Sequence, residues 1–379
     1  MRRCAPWLHA SLLLALCVAA SAAMPVPKPP DIDARAYLLV DFHSGKVLAD
    51  RDAAARMEPA SITKLMTAYV VFEAIREGRL QLHDSVLVSE HAWRAEGSRS
   101  FIKVGASVPV DILLKGMIIQ SGNDAAIALA ERVGGSEDGF ASMMNSYAGK
   151  LGLTNSHFRN STGLPDPEHY MSAADIAELS AALIRDFPEY YRWYSQPEFT
   201  WNGIRQRNRN DLLGRDPSVD GIKTGHTESA GYCLVTSADR NGMRLISVVL
   251  GTASEKARAD ASAALLNFGY TFYETVRMKA AGEKILVPQV YKGATDAVDA
   301  ITGHELWVTV PRGTAAALTT RASARDPLIA PFAAGDDIGE ITVLSGEEVV
   351  AQAPLQAATA VAAGGWWGGL VDTIALWFH

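Results

Sequence analysis

Ser61-Ile62-Thr63-Lys64 places a hydroxyl and an amine three residues apart. On a helix this spacing puts both side chains on one face, about one turn apart. A serine hydroxyl is a weak nucleophile and needs a base, a task that a neutral lysine amine can perform. The segment "PASITKLMTAY" reads as a helix start with an apolar face, so Lys64 stands where the helix dipole disfavours positive charge. Burial, that helix end and any second cation nearby all lower a lysine pKa. The chemistry open to the pair is acyl transfer. Taken alone, the segment equally reads as a Ser61 cap with Lys64 in water.

Two further short signals follow in chain order, Ser121-Gly122-Asn123 and Lys223-Thr224-Gly225. Each has a plain reading by itself: a turn before a helix capped by Asp124, and a strand end. Their order and contexts (helix start, interhelical loop, strand) are hard to obtain together by accident. Ser100-Phe101-Ile102-Lys103 also matches the first pattern. It lies in an extended or loop context, where residues three apart point to opposite faces, and is read as chance.

The elements that must position these residues are legible in outline. "AYLLVDFHSGKVLADRD" reads as two strands around a turn at Ser44-Gly45. The helix from Pro59 runs to a stop near Gly78, and residues 60–195 are mostly helical. "GIKTG", "GYCLVTSADR" and "MRLISVVLG" read as strands, with a hairpin turn at Asn241-Gly242. A helix over about 254–272 closes the unit. The first hairpin and the late strands are expected to share one antiparallel sheet, the helical middle forming an inserted lobe with a cleft between lobe and sheet. From about Lys284 the composition turns β-rich, with no cluster of chemistry-bearing side chains.

The three motifs belong to a recognised set, and the chain resembles the low-molecular-mass penicillin-binding proteins, the serine-type D-alanyl-D-alanine carboxypeptidases. The resemblance runs from about Asp31 to His379 and includes "IDARAYLLVDFHSGKVLA", "NGIRQRNRN" and "VDGIKTGHT". It implies an α+β fold of the penicillin-binding-protein/β-lactamase type, with an antiparallel sheet flanked by helices and an inserted helical lobe. A small all-β domain and a C-terminal amphipathic helix follow. The implied divisions are a signal peptide over 1–23, a catalytic domain over 24–277, a β domain over 278–362 and an anchoring helix over 363–379. The implied substrate is the peptidoglycan pentapeptide stem, which loses its terminal D-alanine through an acyl-enzyme on Ser61. β-Lactam antibiotics would acylate the same serine. Lys64 is the implied base, with Lys223 the implied second cation beside it, and Ser121 the proton relay to the leaving D-alanine. Asn123 binds the substrate peptide, and Lys223 and Thr224 hold its terminal carboxylate. Gly225 admits the substrate to the strand backbone. The N–H groups of Ser61 and His226 form the oxyanion hole. Arg205 of "NGIRQ" matches an arginine near the carboxylate, a structural ion pair being the alternative. One departure is "WRAEGSRSFIKVGAS", shorter than in the best-known members and bordering the site in the family.

The whole chain sets bounds on these readings. It has 379 residues, 48% hydrophobic and 20% charged, a globular composition. Arg2 and Arg3, the apolar run from Leu12 to Ala20 and the small residues after it read as a secretory signal cut after Ala22 or Ala23. Without Arg2 and Arg3, 33 of the 35 basic residues face 42 acidic ones, a net charge of −9, unlike a nucleic-acid binder. Cys233 is then the one remaining cysteine, which excludes an internal disulfide, and no metal-ligand spacing or cofactor motif occurs. The expected location is the periplasmic face of the inner membrane. At ~1.5 Å per residue, a helix over Trp366–His379 would be about 21 Å long, too short for a ~30 Å hydrocarbon core. It would lie in the interface, with Trp367, Leu370, Val371, Ile374 and Phe378 on one side and Asp372 as its only formal charge. A helix docked on the β domain is the alternative.

Three other activities remain open to the same residues. A D,D-endopeptidase would use identical chemistry on cross-links. A β-lactamase would need a deacylating glutamate, and Glu198-Phe199-Thr200-Trp201-Asn202 resembles that motif only weakly. A non-catalytic cell-wall scaffold is at odds with the intact motifs.

Overall fold

The computed structural model describes residues 25–365. The expected signal peptide and the body of the expected tail helix lie outside them. Strands β1 (Ala36–Asp41) and β2 (Val47–Arg51) form the first hairpin. A 3-10 turn over Ala60–Thr63 leads into α1 (Lys64–Arg76). The lobe continues with α2 (Val110–Ile119), α3 (Asn123–Gly134), α4 (Glu137–Lys150) and α5 (Ala173–Asp186). Strands β3 (Val219–Thr227), β4 (Gly231–Arg240) and β5 (Met243–Thr252) precede α6 (Glu255–Phe272). The sheet order is β2-β1-β5-β4-β3, antiparallel throughout, so the first hairpin joins the late strands as the sequence implied.

Local chemistry accounts for the element ends. α1 is buried almost all round, as befits a helix inside the core. It stops at Gly78, whose φ of 73° suits glycine. The Ser136, Ser172 and Ser254 hydroxyls accept from Gly139, Asp175 and Ala257 N–H and start α4, α5 and α6. Asn241 and Gly242, both at positive φ, make the tight β4–β5 turn. Along β1, Ala36 and Leu38 join the core on the lobe side, and Tyr37 and Leu39 the core under α6. This two-residue alternation fixes which face of the sheet carries the lobe.

The chain passes from α6 directly into β6 (Tyr273–Lys279), which pairs with β7 (Leu306–Pro311). The expected boundary at 277/278 therefore falls inside a strand, since pairing with a strand so distant in sequence leaves no mark in composition. Strands β8 (Leu318–Ala324), β9 (Asp337–Ser345) and β10 (Glu348–Ala357) complete most of the second domain, which has its own apolar core. Polar contacts join it to the first hairpin. Thr275 Oγ1 donates to Asp41 Oδ2 at 2.7 Å, Ser44 and Thr309 share a hydroxyl contact at 2.6 Å, and His43 stacks on Trp307.

Candidate active site

The turn that carries Ser61 is held in an unusual backbone. Ala60, fully buried, has φ of 48°, a left-handed conformation that costs energy for an alanine. The expected helix start is thus a 3-10 turn, with α1 proper beginning at Lys64. Lys64 is 1% exposed, and its Nζ lies 2.9 Å from Ser61 Oγ. Nζ also donates to Asn123 Oδ1 at 2.6 Å and to the Thr162 carbonyl at 2.7 Å. The Lys64 pKa falls to about 7, by burial first and then by the Arg209 charge, with Asp124 and Glu137 opposing. Arg209 is thus a cation acting on Lys64 that the sequence did not reveal, and it joins Lys223, whose own lowered pKa records its repulsion with Lys64.

Ser121 and Asn123 arrive from the α2–α3 junction. Ser121 is buried, has φ of 68°, and its hydroxyl has no hydrogen-bond partner among the described residues. Asn123 opens α3. Its Nδ2 donates to the Glu96 carbonyl at 2.6 Å, which fixes the amide with its oxygen toward Lys64. The short segment noted in the sequence thus supplies the acceptor that orients Asn123, and Gly97 and Ser98 line the cleft beside it.

The third motif lies on β3, an outer strand of the sheet. Gly225 packs on the nucleophile turn, and a Cβ there would stand 2.9 Å from the Pro59 carbonyl and 3.3 Å from Ala60 Cβ. Lys223 is buried, and its pKa is pushed well down by burial, then by Lys64, Arg209 and Arg258. Ser61, Ser121, Asn123, Thr224, Gly225 and His226 line one cavity of about 350 Å³, with Lys64 and Lys223 behind the lining.

Arg205 is elsewhere. It sits on the second strand of a hairpin, Glu198–Trp201 with Ile204–Arg207, exposed and ion-paired with Glu198, its Nε 2.6 Å from Oε2. The ion-pair alternative is the one observed. The β-lactamase-like Glu198 is engaged there and does not line the cavity. The arginines that do line it are Arg209 and Arg258. Arg209 falls in the same "NGIRQRNRN" segment, but only the end of the hairpin after Arg207 tells the two apart. Arg258, on α6, carried no sequence signal. Thr162 was also missed, because it acts through its carbonyl. Ser100 and Lys103 form no pair: Ser100 is buried against α3, and Lys103 is exposed.

The profile of the D-alanyl-D-alanine carboxypeptidase family matches residues 23–254, and that of the penicillin-binding protein 5 C-terminal domain matches residues 273–363. The D-alanyl-D-alanine carboxypeptidase DacA of Escherichia coli strain K12 is 41% identical over 362 residues, 93% of this chain and 90% of that protein. DacC of the same organism is 42% identical over 368 residues, 95% and 92% of the two chains. Penicillin binding protein 5 from Haemophilus influenzae superposes with a TM-score of 0.85 at 39% identity, covering 89% of this chain and 99% of that one.

Proposed function

The chain belongs to the D-alanyl-D-alanine carboxypeptidase family and is a serine-type hydrolase of that class, and we propose that Ser61 is its nucleophile and Lys64 its general base. The observation that carries this is the set of three hydrogen-bond partners around Lys64 Nζ. Two of them, the Asn123 amide oxygen and the Thr162 carbonyl, can only accept. A neutral amine has two N–H bonds and one lone pair. With both N–H bonds given to those oxygens, the lone pair faces Ser61 Oγ, the one neighbour able to donate. A pKa of about 7 makes that neutral amine available near neutral pH.

Attack of Ser61 Oγ on the carbonyl of the penultimate D-alanine forms a tetrahedral adduct, the hydroxyl proton passing to Lys64. The adduct's oxyanion is stabilised by Ser61 N–H and His226 N–H. Collapse breaks the peptide bond, and the proton held on Lys64 passes through the Ser121 hydroxyl to the departing D-alanine amine, leaving Lys64 neutral and Ser121 protonated as before. Water then releases the shortened stem from Ser61. Lys223 and Thr224 receive the terminal carboxylate, with Arg209 and Arg258 adding positive charge at the same cleft. An incoming carboxylate favours the charged form of Lys223 and so opposes the lowering that burial and the neighbouring cations produce. Arg205 has no part in this.

Two tests bear on the assignment. Ser61→Ala should abolish D-alanine release from a peptide ending in D-Ala-D-Ala. Mass spectrometry after penicillin treatment should place the adduct on the peptide that contains Ser61; an adduct on Ser121 would refute it. A cross-linked dimeric peptide in the same assay separates carboxypeptidase from D,D-endopeptidase action.

The catalytic part ends with α6, and the β domain starts at Tyr273 rather than at 278, a reading supported by the β6–β7 pairing. Export to the periplasmic face of the inner membrane is supported by the composition of residues 2–23, with the family match beginning at residue 23. Among the described residues no helix is long and apolar enough to cross a membrane. Peripheral attachment through residues 363–379 rests on their tryptophans and one-sided apolar spacing. Deleting residues 364–379 should free the protein from vesicles, and release of the intact protein by salt alone would contradict an apolar anchor.

A further inference from the structure

The two oxyanion donors sit on elements far apart in the chain, Ser61 on the 3-10 turn and His226 on β3. Such donors work only within about 2.7–3.1 Å of one oxygen, and a misplacement of ~1 Å is costly. Something must therefore fix the turn against the strand. At Gly225 the two touch through packing alone, the strand backbone lying on Pro59, Ala60 and Ile62. Packing at a glycine sets a closest approach but no direction. Beside it lies a directional link: Thr227 Oγ1 donates to Glu58 Oε1 at 3.0 Å. The hydroxyl is itself oriented, because Oγ1 accepts from Ala230 N–H at 2.9 Å and so turns its proton away, toward Glu58. The hairpin turn that carries this contact is tied down by Arg35, which donates to the Ser229 carbonyl at 2.8 Å and to the Ala230 carbonyl. Glu58 lies three residues before Ser61, and Thr227 immediately follows His226.

We propose that Glu58 and Thr227 are positioning residues, a strap that sets the spacing between the Ser61 and His226 N–H groups. This rests on the oxyanion-hole assignment above. Thr227 borders the cleft, but its hydroxyl proton is given to Glu58 and its oxygen accepts from Ala230 N–H, and valine keeps the same shape there. Loosening it should leave the first, non-covalent encounter unchanged and slow the step in which negative charge develops on the carbonyl oxygen.

The test uses the full mature protein and penicillin. The concentration dependence of acylation separates non-covalent affinity from the acylation rate constant. Thr227→Val and Glu58→Ala should each lower the rate constant about 10-fold with affinity unchanged, and the double variant should lose no more than either alone. Glu58→Gln, which keeps an acceptor oxygen, should stay within about twofold of the parent. A peptide boronic acid, whose tetrahedral adduct on Ser61 places an oxygen in the hole, should bind Thr227→Val about 10-fold more weakly. Wild-type acylation by Thr227→Val, multiplicative losses in the double variant, or a lowered melting temperature with unchanged boronate affinity would each overturn the strap. A crystal structure of the wild-type boronate adduct tests the underlying assignment separately. A boronate oxygen away from Ser61 N and His226 N would remove the oxyanion hole itself, whatever the variants do.

Discussion

The Thr162 carbonyl accepts a hydrogen bond from Lys64 Nζ at 2.7 Å across 98 residues of chain. The carbonyl is aimed by its own side-chain neighbours. Asn160 Oδ1 accepts from Thr162 N–H at 3.2 Å, Thr162 Oγ1 at 3.0 Å and Gly163 N–H at 2.7 Å, a tight local turn. Glu137 holds Ser161 through its N–H at 2.9 Å and its hydroxyl at 2.6 Å. The base is therefore oriented from a loop that carries no catalytic motif.

Asn160→Ala should release that carbonyl. We expect acylation by penicillin to slow about 10-fold and stability to fall by about 1–3 kcal/mol, the range for leaving buried polar groups unpaired. Asn160→Asp keeps the acceptor and should restore most of the stability. Its new negative charge should also hold the Lys64 proton longer and move the pH midpoint of acylation upward. Full acylation by Asn160→Ala at every pH would show that the Thr162 contact is dispensable.

The two lysines should respond differently to arginine. Lys64→Arg keeps the charge but cannot take a proton from Ser61 at any working pH, so acylation should fall by about 10²–10⁴-fold. Lys223→Arg leaves a cation for the carboxylate and should cost about 10-fold, mostly in KM. Equal losses measured for the two variants would undo the division of labour between base and carboxylate holder.

The reach of the sequence follows from what carries each signal. Ser61 and Lys64 were legible because helical spacing converts three residues of separation into contact. Gly225 was expected to admit substrate to the strand, whereas its missing side chain lets β3 close on the Pro59–Ala60 turn, a contact only the fold reveals. The hairpin at Asn241-Gly242 was written in its turn residues. Thr162 was not legible, since a carbonyl oxygen is common to every residue and only the fold can aim it. Arg205 and Arg209 share one short segment, and the hairpin ending at Arg207 sends one to solvent against Glu198 and the other to the cleft. Arg258 reaches the site only because α6 packs across β4 and β5, from where its side chain extends to the Gly225 carbonyl, a tertiary fact. β6 went unrecognised as part of the second domain because its partner, β7, lies beyond an intervening segment.

The pH dependence of acylation should report Lys64. The base must be neutral, so the rate should rise with pH and reach half its plateau near pH 7. Arg209 is the second cause of the low value, after burial. Arg209→Gln should let Lys64 hold its proton to higher pH and shift the midpoint upward. Burial remains, so the midpoint should stay well below the ordinary lysine range. Penicillin acylation rates across pH 5–9 would decide, since the position of the midpoint reports the base even if Arg209 also affects binding. A midpoint unchanged by Arg209→Gln would mean that its charge does not reach the base.

His169 links the nucleophile turn to acid stability. The ring is 3% exposed, and its Nε2 lies 2.8 Å from the hydroxyl of Thr63, the residue before Lys64. Its Nδ1 accepts from Arg159 N–H at 3.2 Å, so the neutral ring carries its proton on Nε2 and donates it to Thr63. The pKa is lowered to about 4, chiefly by burial; Asp166 opposes this, while His157 and Lys64 add to it. The unfolded chain binds this proton near pH 6.5, the folded chain only near 4. A depressed histidine pKa means that the folded state holds fewer protons, so its contribution is fully present above about pH 6.5 and is lost as pH falls toward 4. At ~1.4 kcal/mol per pKa unit, the loss is on the order of 3 kcal/mol. Protonation would also turn Nδ1 into a second donor facing the Arg159 N–H, which removes the contact that anchors this side of the loop. Denaturant melts at pH 4.5 and pH 7 should therefore differ more for the parent than for His169→Gln, which has no ring to protonate and whose amide can still donate to Thr63. The variant should start less stable at pH 7 and lose less on acidification. An identical pH dependence in parent and variant would place the acid sensitivity in other groups and leave the His169–Thr63 contact a packing feature.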